Sequence, residues 1–170
     1  VLSYALDVGY NQLDYKLRQD ERVEVMERVN FRFSKPEDFT KGKPQVASID
    51  VSFISLKLIL PPLKDILEMD GDVLVLIKPQ FEAGRERIGK KGIVSDPKVH
   101  QDVLEEILEY CEQIGFSVQQ LTYSPITGGI GNIEFLAHLQ LHESVTSSYD
   151  RKTGIQAVVK EAHQQLKNLK

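Results

Sequence analysis

Apolar positions along this chain recur in two rhythms, and the change from one to the other marks out the elements. Leu2 to Val8 (LSYALDV) is a short apolar run ending in Asp-Val-Gly, and a helical stretch from Gln12 to Arg18 follows it. Val23 to Glu27 (VEVME) alternates with the period of two that a strand requires. Gln45 to Val51 (QVASIDV) predicts a third strand, with Pro44 before it and an acid near its end. Val73 to Ile77 (VLVLI) is uniformly apolar, which predicts a strand buried on both faces of a parallel sheet. Asp70-Gly71 supplies the turn before it. The clearest helix spans Pro97 to Ile114. Asp96 is a natural N-cap, and Pro97 takes the first helical position, where its missing N–H costs nothing. Val99, Val103, Ile107, Cys111 and Ile114 form one apolar stripe, and Gly115 can end the helix in the left-handed conformation. Strands are predicted at Ser117 to Tyr123 and Ile133 to Leu141. A polar stretch, His142 to Gly154, then leads to an amphipathic helix from Ile155 to Leu169.

Alternating strands and helices predict an α/β fold with right-handed crossovers. The last two strands are joined by SPITGGIGN (Ser124 to Asn132) without a helix, which predicts an antiparallel final strand. The fold class is therefore a doubly wound, Rossmann-like sheet, mostly parallel with an antiparallel last strand, the variant that separates methyltransferases from dehydrogenases. Ligands of such sheets bind beyond the carboxyl ends of the strands. That rule directs attention to Asp7, the turn after Glu27, Asp50 and Lys78.

Composition narrows the classes. Of 170 residues, 41% are hydrophobic and 27% charged, as in an ordinary globular domain rather than a disordered tail. Cys111 is a lone cysteine, so no internal disulfide forms, and no Cys/His cluster has metal-ligand spacing. These features predict a reducing, cytoplasmic setting and no bound metal. The apolar run near Phe53 to Leu63 is broken by Lys57, Pro61 and Pro62 and is too short to span a bilayer. Net charge is −4, so the domain has no general attraction for phosphates. One stretch departs from that balance: Arg85, Arg87, Lys90, Lys91 and Lys98 stand against Glu86 and Asp96. It reads equally as a solvated loop or as a phosphate-contacting one. Val1 replaces an initiating Met, and the chain reads as part of something longer.

Several strand-end residues have candidate chemistry. Asp7, in ALDVG with Val8 and Gly9, is placed to accept hydrogen bonds from the ribose hydroxyls of an adenosine cofactor. Arg28, Val29 and Asn30 follow the second strand, where backbone and an amide can read an adenine edge, although Asn30 is equally at home in a turn. Asp50 interrupts an apolar strand end, where an ionised carboxylate is expensive to desolvate unless paired. Lys78 ends the most apolar strand, with Pro79 fixing the exit, and Glu134 opens the last one. These three charges can satisfy one another at one rim of the sheet, either as a structural ion-pair network or as a reaction centre.

The motifs DVSFIS, KPQFEAGRE-IGKKGIV-DP-VH and SPI-G--GNIEFL, in this order and spacing, resemble the TlyA (hemolysin A) family of FtsJ-like RNA ribose methyltransferases. The resemblance runs from about Tyr4 to Leu141 and takes in the C-terminal helix. It implies S-adenosyl-L-methionine as cofactor and ribosomal RNA as substrate. It also implies a Lys–Asp–Lys–Glu catalytic tetrad in which Asp50, Lys78 and Glu134 are the last three members. The first lysine and the glycine-rich first strand that cradles the methionine end of the cofactor are expected in a preceding segment, beside an S4-like RNA-binding module. Residues 1–142 are then a partial methyltransferase domain, and 143–170 a linker and helix packed on it. Arg85, Arg87, Lys90 and Lys91 become candidate RNA contacts. Three other readings stand beside this one. A non-catalytic RNA- or nucleotide-binding module predicts binding without methyl transfer. A membrane-active hemolysin needs a long apolar helix or a closed barrel. A dinucleotide dehydrogenase explains Asp7 but leaves Lys78 and Glu134 idle.

Overall fold

A computed structural model describes residues 1–167. β1 (Ser3–Leu6) and β2 (Val23–Met26) pair in parallel, with the single turn α1 (Tyr15–Arg18) between them. A separate sheet contains β3 (Val46–Ile49), β4 (Asp72–Ile77), β5 (Phe116–Tyr123) and β6 (Phe135–Leu141) in the order β3-β4-β6-β5. β3 and β4 are parallel, whereas β6 is antiparallel to both β4 and β5. The reversed last strand predicted from the missing crossover helix is thus present.

The patterning assigns no element to residues 56–66, yet they form α2 (Leu56–Ile66) with Pro61 and Pro62 inside it. A proline at 61 has no N–H for the carbonyl of Lys57, four residues back. The Tyr110 hydroxyl donates to that carbonyl instead, at 3.1 Å. The helix also starts on a firm cap: the Ser55 hydroxyl accepts from the Lys57 N–H, and the Glu82 carboxylate accepts from Leu56 N–H at 2.8 Å and from the Ser55 hydroxyl at 2.6 Å. Burial outweighs these hydrogen bonds and raises the pKa of Glu82 above the ordinary carboxylate range.

α3 (Pro97–Ile114) begins at an Asp96 cap and ends at Gly115, whose φ is +114°, both as the sequence predicts. Its buried face is wider than the predicted stripe, because His100, Leu104 and Leu108 are also buried. α4 (Arg151–Leu166) starts on an Asp150 cap, four residues before the predicted Ile155, and the predicted end at Leu169 lies outside the described residues. Ile155, Val159 and Ala162 of α4 join Leu56, Leu60 and Leu63 of α2 and the buried face of α3 in one core against the sheet. Val73, Val75 and Ile77 of β4 and Phe135, Ala137 and Leu139 of β6 form the sheet side of that core. A side chain of this size gains about 1.5–3 kcal/mol when fully buried.

β4 was predicted to be buried on both faces, and the structure corrects this. Alternate side chains of a strand point to opposite faces, and α2, α3 and α4 all pack on one of them. On the other face Leu74 is 52% exposed, and Leu136 is exposed as well. Between β1 and β3 lies a groove of about 680 Å³, lined among others by Leu2, Tyr4, Leu6, Val46, Ser48 and Leu63. Tyr4 spans one end of it: its hydroxyl donates to the Gly42 carbonyl at 2.8 Å, and its ring meets Phe39 edge-on at 5.0 Å.

Candidate active site

The carboxyl ends of β3 and β4 bring two of the three predicted charges together. Lys78 Nζ lies 2.6 Å from Asp50 Oδ1 and donates to Ser52 Oγ at 3.1 Å. The pair is unequal. The Lys78 side chain is 13% exposed and that of Asp50 70%. The sequence predicts that both charges need a partner; the structure makes Lys78 the enclosed member and leaves Asp50 largely in water. An ammonium carries three donors, and two are engaged, so one N–H remains for a third partner.

Glu134 does not join this pair, since it lies beyond salt-bridge distance of Lys78. It is 8% exposed and accepts from Gln80 Nε2 at 3.0 Å. Its carboxylate lies beneath the glycine-rich loop: a Cβ built on Gly128 would sit 2.7 Å from Glu134 Oε1. Glycine at 128 is therefore a condition of this carboxylate's position. The mutual neutralisation of all three charges expected from the sequence is replaced by one ion pair and one separately held acid.

The segment from Asp50 to Ser55 is tied to the loop after β4 through Glu82, which accepts from the Ser55 hydroxyl and the Leu56 N–H. Within that segment Phe53 has φ +61°, an uncommon conformation for a bulky residue that marks local strain. The residue is 89% exposed, and its ring rests against Phe81 with centroids 4.9 Å apart. An exposed aromatic face beside the Asp50–Lys78 pair is a stacking surface for a planar group. Sequence reasoning missed Ser52, Phe53 and Gln80. The DVSFIS and KPQFE motifs contained them, but neither a positive φ nor a neighbour contributed by another strand is visible in a string of residues.

The ends of β1 and β2 lie beside each other. Arg28 N–H donates to the Gly9 carbonyl at 3.0 Å, and Val29 N–H to that of Asp7 at 3.1 Å. Asp7 is exposed, and one of its carboxylate oxygens, Oδ1, accepts the Gly9 N–H at 2.7 Å. Arg28, at φ +55°, stacks its guanidinium 4.2 Å over the Tyr10 ring. Asn30 uses its side-chain oxygen to cap the turn at Arg32, at 3.3 Å, which is the turn role the sequence allowed for it. Val8 is exposed beside Asp7.

In the basic loop, Arg85, Lys90 and Lys91 are exposed. Arg87 differs from them. Its Nε donates to the Ala83 carbonyl at 2.8 Å and Nη1 lies 3.5 Å from Asp102, so it anchors the loop to α3. Among the described residues no cluster of His, Cys, Asp and Glu could hold a metal ion, and no helix is long and apolar enough to cross a membrane.

An α/β sheet with a reversed last strand, and an acid, an amine and a second acid at its rim, defines a methyltransferase-type fold. An rRNA methylase structure from Streptococcus thermophilus shares it, with a TM-score of 0.51 at 17% identity, covering 84% of this chain and 74% of that one. The chain belongs to the FtsJ-like methyltransferase family, whose profile it matches over residues 2–141. It is similar to YqxC of Bacillus subtilis, a protein provisionally named an rRNA methyltransferase, with 58% identity over 169 residues, covering 99% of this chain and 60% of YqxC. It is also 38% identical over 136 residues to the 16S/23S rRNA (cytidine-2'-O)-methyltransferase TlyA of Mycobacterium tuberculosis, covering 80% of this chain and 50% of TlyA. A solved Streptococcus thermophilus protein provisionally called a hemolysin superposes with a TM-score of 0.95 at 55% identity, covering 99% of this chain and 60% of that one. The chain thus spans 50–60% of the length of these three relatives.

Proposed function

We propose that this chain is the catalytic part of an S-adenosylmethionine-dependent RNA 2'-O-ribose methyltransferase that acts on ribosomal RNA. The observation that carries the reading is the Lys78 ammonium, bound on two sides by Asp50 and Ser52 and left with one donor free at the strand ends. A ribose 2'-hydroxyl is a weak nucleophile because it holds its proton tightly. Transfer requires in-line alignment and stabilisation of the oxygen as charge develops on it. The free Lys78 donor supplies that stabilisation as a cation, Asp50 and Ser52 orient it, and Glu134 positions the target ribose. The hydroxyl proton leaves to water, which reaches the pair past the exposed Asp50. Phe53 offers a stacking face for the base of the target nucleotide.

Asp7, Val8, Gly9, Arg28, Val29 and Asn30 would hold the adenosine half of the cofactor, and Asp50 would face its sulfonium end. Their chemistry fits: Asp7 is an exposed acceptor at a parallel strand end, and the Asn30 amide nitrogen is available beside backbone groups. When bound, the sulfonium cofactor supplies an activated methyl group. Arg85, Lys90 and Lys91 contact RNA phosphates, with Arg87 securing the loop that bears them. The groove between β1 and β3, whose facing edges pair with no strand among the described residues, accommodates one further parallel strand from the segment expected to precede residues 1–142. An S4-like module in that segment would supply the general RNA affinity that a domain of net charge −4 lacks.

The test is Lys78→Ala in the full-length protein. Methyl incorporation into ribosomal RNA from labelled cofactor should be abolished while cofactor binding persists. Appreciable residual turnover would remove Lys78 from the mechanism.

A further inference from the structure

Asn132 is fully buried, with 0% exposure, yet it is polar and lies outside the charged centre. Each end of its side-chain amide is used on the same foreign segment. Nδ2 donates to the Gly92 carbonyl at 3.0 Å, and Oδ1 accepts from the Val94 N–H at 2.9 Å. That segment is the tip of the basic loop, a tight turn in which Gly89 N–H donates to the Ile93 carbonyl at 2.9 Å. Lys91 sits in this turn at φ +62°, next to Gly92 at +76°. A lysine there persists only where its surroundings over-determine it. On the far side, the Val94 carbonyl lies 2.9 Å from His100 Nε2, so Val94 is gripped at both of its backbone polar groups.

The backbone of Asn132 does a second job. Its carbonyl accepts the Gly128 N–H at 2.8 Å, closing the glycine-rich turn that lies over the Glu134 carboxylate. One buried residue therefore holds two loops: the turn that presents Lys90 and Lys91, and the turn that shapes the pocket of Glu134. We propose that Asn132 is a positioning residue that fixes the RNA-phosphate grip of Lys90 and Lys91 in register with Glu134. This rests on the reading of that loop as an RNA contact.

Two backgrounds of the full-length protein separate this role from simple loss of packing. With purified ribosomal subunits as substrate, Asn132→Ala should raise KM for RNA about tenfold and flatten its salt dependence. The affinity for S-adenosylhomocysteine should stay unchanged. In a Lys90→Ala/Lys91→Ala background the same substitution should raise KM less than twofold, because the grip it positions is already gone. A merely structural residue would give the same factor in both backgrounds, and that result would overturn the proposal. So would unchanged KM and salt dependence in a folded Asn132→Ala protein. If that variant does not fold, Asn132→Ser leaves a polar group that cannot reach both backbone partners, and it should shift KM in the same direction. An unshifted KM there refutes the clamp. If Lys90→Ala/Lys91→Ala alone leaves RNA binding intact, the RNA reading of the loop fails first and the clamp falls with it.

Discussion

Removing either member of the Asp50–Lys78 pair should stop methyl transfer, yet the two losses should differ sharply in what they do to the fold. Lys78 is the enclosed member, 13% exposed, and its partner is 70% exposed. Asp50→Ala leaves an ammonium at a mostly buried site with only the Ser52 hydroxyl, and a buried charged group that loses its partner there costs about 3 kcal/mol. Lys78→Met replaces the ammonium with an apolar chain of similar length and leaves Asp50 largely in water. An exposed carboxylate that loses an ion pair gives up no more than about 1 kcal/mol. At roughly 2–4 °C per kcal/mol for a domain of this size, Asp50→Ala should lower Tm by roughly 6–12 °C and Lys78→Met by no more than about 4 °C. Both should reduce turnover at least 100-fold, the order expected when a group stabilising a developing oxyanion is lost or misplaced. Thermal unfolding followed by circular dichroism, alongside the labelled methyl-transfer assay, tests both halves. If Lys78→Met proves as destabilising as Asp50→Ala, the argument from unequal burial is wrong. If Lys78→Met keeps substantial activity, the catalytic reading is wrong whatever the stabilities show.

Three further outcomes follow from the packing. His100 donates from Nε2 to the Val94 carbonyl, so its Nδ1 must accept from His163 Nε2, 2.8 Å away. Burial first, and His163 second, depress the His100 pKa from 6.5 to about 4, and burial also depresses that of His163. Stability from the neutral pair should be complete above pH 6.5 and lost as pH falls towards 4. His100 alone accounts for about 2–3 kcal/mol by pH 4.5, and urea unfolding of wild type against His100→Gln should show the two curves converging as pH falls. Parallel curves would count against the burial of an uncharged His100. Tyr110→Phe removes the donor that replaces the missing Pro61 N–H and should cost about 1 kcal/mol, read as a lower urea midpoint with unchanged m-value. No change would mean that the Lys57 carbonyl finds water without penalty. Gly115→Ala forces a side chain into φ +114° with Lys64 Nζ 3.4 Å from the new Cβ, and should cost about 1 kcal/mol or more. A neutral result would show that the α3 terminus relaxes freely.

Local chemistry in the sequence was sufficient for α3, because Asp96, Pro97 and Gly115 are start and stop signals that act within a turn or two of the chain. The reversed last strand was legible for a similar reason: a glycine-rich connection of nine residues leaves no room for a crossover helix. The motifs bearing Asp50, Lys78 and Glu134 were equally readable as an ordered set. Other features depended on partners distant in sequence. α2 was hidden because two prolines argue against a helix, and the hydroxyl that answers one of them lies on α3, 53 residues from the carbonyl it serves. Charge type alone could not tell that Lys78 is enclosed, that Asp50 faces water, or that Glu134 is held by Gln80 rather than by the lysine. Those facts depend on which strands pair and on how closely Gly128 descends on the carboxylate. The sequence by itself determined which groups stand at the strand ends, since where each strand starts and stops follows from hydrophobic rhythm and short-range turn and cap signals. Only the tertiary structure decided which of those groups touch and which are buried, because contact and desolvation are properties of neighbours brought together from far along the chain.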